Sequence, residues 1–193
     1  MNVTDQLPER AILVLISAVS WAAFTYLNSV AFDFLKEAPG VHLVYMPAGV
    51  RLLILLLFGV WGAIGIAIAH PIAVLTQYNP NDVTFLITDS LISGFGGLLV
   101  LFVSQKLLGI SPSLDGLRAK HLPLLSLMMA IAMPFMFNAA QVVFGYRPVS
   151  EATSNFWPML LGDFLGCFIV IAVVLLLIKA FRALYSGSHS SGN

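Results

Sequence analysis

The sequence predicts an all-α, polytopic transmembrane helical bundle, and two observations carry that prediction. Of 193 residues, 59% are hydrophobic and only 9% are charged, with a mean hydropathy of +0.95; a soluble domain carries about 25% charged residues. Apolar stretches recur at the length a membrane span needs, about 20 residues for roughly 30 Å of hydrocarbon. Net charge is +0 and no basic run occurs, so nucleic acid is not an expected partner.

The N-terminal residues MNVTDQLPER carry Asp5 and Glu9 and lack the basic opening of a signal peptide. The first apolar run, Arg10 to Phe32, has no obvious small-residue cleavage site behind it and reads as a retained span. Three further runs qualify by length and composition: Val83 to Leu108, His121 to Phe144, and Phe156 to Ile178. Between the first two lies Pro47 to Tyr78, which is readable as one long span or as two short ones broken at Phe58-Gly59-Val60-Trp61-Gly62. Two glycines flanking a Trp favour a turn at an interface, because Gly breaks helices and Trp prefers headgroups. The favoured count is therefore six spans, with five as the alternative. Residues 1–185 form one transmembrane domain, and the polar run 186–193 reads as a disordered tail.

With six spans, Arg10, Lys106, Arg118, Lys120, Lys179 and Arg182 share one side, against Lys36 and Arg147 on the other. The positive-inside rule makes the basic side cytoplasmic and puts both termini there. With five spans Arg10 and Lys36 exchange sides, and only the C-terminus and the Lys106–Lys120 loop stay inside.

Three ionisable residues fall within spans: Arg51, Asp89 and Asp163. A charge in hydrocarbon costs roughly 2.5–3.5 kcal/mol on insertion scales, so such residues face a protein interior and mark candidate sites. Counted inward from the outer span ends at 1.5 Å per residue, they share a depth with Asn28, Asn138 and Gln141, about 5–12 Å below the boundary. Polar atoms from several helices at one level describe a ligand pocket or a structural clamp. Arg51 snorkelling to the headgroups is the third reading. Two acids against one Arg leave a carboxyl to be protonated or to meet a cationic or hydrogen-bonding ligand.

Other features are plainer. Gly94, Gly96, Gly97, Gly162 and Gly166 suit close helix approach. Pro134 interrupts the fifth span and frees a carbonyl. His42, His70 and His121 lie near span ends without metal-ligand spacing, so no metal or other cofactor is expected. Tyr45, Tyr78, Tyr146 and Trp157 read as interfacial anchors, Cys167 as a small buried hydrophobe, and the Met128–Met136 group as packing. No nucleophile motif or phosphate loop is present, and an enzyme is the least supported class.

Three segments together resemble a known family. Tyr45-Met46-Pro47-Ala48-Gly49-Val50 before a leucine-rich run, Asp89-Ser90-Leu91 before its glycines, and Asn155-Phe156-Trp157-Pro158 through Gly162-Asp163 resemble the type-one membrane-associated sensor domain. The resemblance covers about residues 41–178 and falls on Pro47, Gly49, Gly162 and Asp163. It implies a bacterial inner-membrane sensor that passes a signal to a kinase or cyclase, here through a separate membrane or cytoplasmic protein partner. The expectation is a sensor-like protein binding an unknown small molecule in an outer-leaflet pocket. The alternatives are a substrate-binding subunit of an energy-coupling uptake transporter and a structural subunit of a larger membrane complex.

Overall fold

A computed structural model describes residues 7–38, 40–77 and 82–188. Its helices are α1 (Leu7–Ala31), α2 (Met46–Gln77), α3 (Val83–Leu91), α4 (Gly97–Leu108), α5 (His121–Val143) and α6 (Val149–Ser188). A π-helical turn, Ile92–Gly96, joins α3 to α4 into one rod. Between α1 and α2 lie a 3-10 turn, Asp33–Leu35, and a short antiparallel pair, β1 (Lys36–Ala38) and β2 (Val41–His42).

Five helical segments are long and apolar enough to cross a membrane: Leu7–Ala31, Met46–Ile72, Val83–Leu108, His121–Val143 and Val149–Arg182. The chain is a multi-pass membrane protein whose outward apolar side chains meet lipid. Counted as long apolar segments the number is the alternative of five, not the favoured six, with Met46–Ile72 as one of them; the expected break is present within it as a kink at non-helical Gly59, where two helices meet.

That second helix is nevertheless not straight. Gly59 sits at φ 54°, ψ −125°, far from helical values, and a Cβ on Gly62 would lie 2.8 Å from the Ile54 carbonyl oxygen. Along α1 the partners of α2 run first one way and then the other. Asn28 bonds Met46 and Trp21 faces Arg51; then Arg10 faces Trp61, Ser17 faces Gly65, and Trp21 faces His70. Residues 46–58 therefore descend antiparallel to α1, and residues 60–77 return parallel to it. Arg51 and His70, about 28 Å apart in a straight helix, both lie within about 6 Å of the Trp21 ring. The chain reverses at the Gly59 turn, and that end of the bundle also receives the start of α1, the α4–α5 loop and the C-terminal half of α6.

The core is built where the two arms of α2 meet their neighbours. Trp21, Leu52, Leu55, Ala63, Ile66, Leu125 and Met129 are buried there. Helix α6 begins at Val149, seven residues earlier than the apolar run, and continues to Ser188. The first three residues of the expected polar tail are thus helical, and 189–193 lie outside the described residues.

Glycines set the closest contacts. Gly162 and Gly166 face the backbone carbonyls of His42 and Tyr45, and neither position has space for a Cβ. The Tyr45 N–H donates to the Gly162 carbonyl at 3.0 Å. The glycine face of α6 thus receives an extended segment, residues 42–45, as well as helix α2 at Gly49, where a Cβ would lie 2.8 Å from the Gly166 oxygen.

Candidate functional site

The folded-back α2 brings its own two polar residues to one level. Arg51, on the descending arm, is 1% exposed. Its guanidinium lies 5.0 Å from the Trp21 ring centre and 5.7 Å from that of Phe137. Aromatic faces partly offset the cost of a desolvated cation. One terminal nitrogen donates to the Ser93 hydroxyl at 3.5 Å, a long bond, and Nε has no hydrogen-bond partner in the protein. Arg51 does not snorkel. Ser93 lies in the π-helical turn, and a Cβ on neighbouring Gly97 would crowd the Arg51 side chain at 3.1 Å. The small residues of this rod therefore make room for the guanidinium.

His70, on the ascending arm, meets Asp89 from α3 at 2.9 Å between Nε2 and Oδ2. The imidazole stacks on Phe137 with centroids 6.0 Å apart. Asp89 Oδ1 and His70 Nδ1 have no hydrogen-bond partner in the protein.

Arg51, His70, Asp89 and Asp163 line one cavity of about 60 Å³, together with Tyr45 and Gln141. Its walls come from both arms of α2, from α3, α5 and α6, and from the 40–45 segment. That volume suits a few waters or a molecule of comparable size, since one water needs about 10–15 Å³ measured this way. Asp163 is 7% exposed, and no Arg51 nitrogen comes within 4.0 Å of its oxygens. The direct Arg51–Asp163 pair is thus not formed, and both groups face the cavity instead. Tyr45 is half-buried at the rim of the cavity, and desolvation there holds its phenol well above the usual range.

Asn28 and Asn138 lie nearby but do other work. Asn28 Oδ1 accepts the Met46 N–H at 2.9 Å, which caps α2 from a neighbouring helix. An N-terminal helix N–H needs such an acceptor when buried. Asn138 donates to the Pro134 carbonyl at 2.8 Å and contacts the Met159 sulfur at 3.3 Å. Gln141 reaches the cavity, and its Oε1 is unpartnered in the protein. Pro47 is fully buried at the start of α2, where its missing N–H costs nothing.

Sequence reasoning missed His70, Trp21 and Phe137. His70 read as a span-end residue, although its four-residue separation from Ile66, a buried residue, marked the inner face. No family model, curated protein or solved structure matches the chain.

Proposed function

We propose that this protein binds a small polar molecule in the Arg51–Asp163 cavity and passes its occupancy, in the manner of a sensor, to a separate protein. The observation that carries the reading is a buried guanidinium and a buried carboxyl that line one cavity without touching each other. A structural ion pair closes its own contact; a ligand site leaves its charges to be met by the ligand.

Occupancy has a route outward. The cavity wall includes Met159 and Asp163 of α6, and the 42–45 segment seats on the same helix at Gly162 and Gly166. Helix α6 has 40 residues, about 60 Å, twice the hydrocarbon thickness. A change in its seating at the cavity is carried to the end bearing Lys179 and Arg182, which the positive-inside rule assigns to the cytoplasm of a bacterial inner membrane. The resemblance on Pro47, Gly49, Gly162 and Asp163 agrees with a sensing role.

Native mass spectrometry after gentle extraction from the host tests this. The expected result is a retained small molecule that is lost in Asp163→Asn and Arg51→Gln, plus a constant protein partner. If both variants match wild type in stability, retained mass and partner, the cavity is not a ligand site.

A further inference from the structure

The charges around the cavity specify a class of ligand, an inference that rests on the cavity being a binding site. His70 and Asp89 are engaged with each other at 2.9 Å. In a dry setting such a couple is favoured as a net-neutral unit, imidazolium with carboxylate or imidazole with carboxylic acid. With His42, which also lines the cavity, as a neutral imidazole, two charged groups then remain: the Arg51 guanidinium, with Nε unpartnered, and the Asp163 carboxyl. Each needs a counter-charge, and neither contacts the other.

A simple anion would satisfy Arg51 and strand Asp163; a simple cation would do the reverse. Either would leave one net charge in a low-dielectric site, which is costly. A molecule with both signs satisfies both groups and changes the net charge by nothing. We infer that the site takes a small zwitterion, with its carboxylate toward Arg51 and its ammonium toward Asp163, no larger than the simplest α-amino acids. Gln141 Oε1 and Asp89 Oδ1 are free to accept further ammonium hydrogens. The Trp21 and Phe137 rings flank the guanidinium at 5.0 and 5.7 Å from their centres. The cavity of about 60 Å³ sets the size limit.

The test uses the full chain in lipid nanodiscs, with glycine, acetate and methylamine as probes and sodium chloride as the ionic-strength control. Isothermal titration should give glycine at least tenfold tighter binding than either acetate or methylamine. Asp163→Asn, which keeps the side-chain shape and leaves Arg51 as the uncompensated charge, should lose glycine affinity at least tenfold and bind acetate better than wild type does. Arg51→Gln should shift preference to methylamine; circular dichroism and gel filtration establish whether that variant folds, and Asp163→Asn decides the matter if it does not. Acetate or methylamine equalling glycine in wild type overturns the zwitterion and leaves the binding site standing. Binding of none of the three, with no retained small molecule in native mass spectra, overturns both.

Discussion

Replacing Gly59 by Ala should weaken the fold-back of α2, and the size of the effect follows from the backbone. At φ 54°, ψ −125° a residue with a Cβ is strained, at a cost of about 1–3 kcal/mol. The competing continuous helix gains at the same time, since Ala is favoured over Gly by about 1 kcal/mol in a helix interior. The bias against the hairpin is then about 2–4 kcal/mol, a large part of the 5–15 kcal/mol that typically holds a domain. Nothing lies within 4 Å of a Cβ built at Gly59, so steric crowding does not contribute and the effect is purely conformational. The assay is unfolding in mixed micelles of rising SDS fraction, followed by tryptophan fluorescence, because Trp21 is buried between the two arms. Leu57→Ala, on an exposed side chain two residues away, serves as the control. A Gly59→Ala midpoint within about 0.5 kcal/mol of wild type, the range of ordinary surface changes, would refute the reversal at this residue.

Gly162→Ala places a methyl onto the His42 carbonyl; overpacking of about 1–3 kcal/mol should outweigh the helix gain, and a neutral or stabilised variant in the same SDS titration would contradict the contact. His70→Gln and Asp89→Asn should each destabilise by about 3–5 kcal/mol, with the double variant costing less than the sum, and strict additivity in that cycle would show the pair is not coupled. Asp82 caps α3 through the Thr84 and Phe85 N–H groups, and the Tyr146 hydroxyl, then those backbone donors, hold its carboxyl below the usual range. A lowered folded pKa gives stability that is present above the ordinary Asp pKa, about 3.9, and is lost as pH falls through the folded value. Acid unfolding should therefore be flatter below that pH in Asp82→Ala than in wild type, and identical profiles would exclude the cap as its source.

Much of the fold was legible because hydrocarbon demands long apolar runs, and composition alone reveals those. The break in the second run was legible too, from two glycines around Trp61, yet its form was not. Whether a chain stops and restarts a helix or folds one helix through a single left-handed residue depends on Gly59 dihedrals that no spacing encodes. The polar layer was half legible. Arg51, Asp89 and Asp163 stood out because charge is rare in a span, and depth counting brought them with Gln141 to one level. Asn28 and Asn138 shared that level, but Asn28 bonds a backbone N–H and Asn138 the Pro134 carbonyl and the Met159 sulfur, a distinction that depends on rotamers and not on depth. His70 escaped because a neutral-looking imidazole at an apparent span end carries no cost signal; only the fold-back returns it to the level of Arg51.

The Gly59 turn also constrains how the chain enters a membrane. Residues 46–58 number 13 and rise about 20 Å, short of the roughly 30 Å of hydrocarbon, and they carry Arg51. Such an arm is a poor candidate for independent insertion. Residues 60–77, 18 in number, approach a full crossing and hold no charged group at neutral imidazole. The two arms must therefore enter as one hairpin, the second escorting the first. The arginine then reaches hydrocarbon depth already tethered to the histidine arm, close to where Trp21 waits on the preceding helix. Entry of Arg51 is then timed by the synthesis of residue 77 and not of residue 58, and the cavity closes only when α3, α5 and α6 follow.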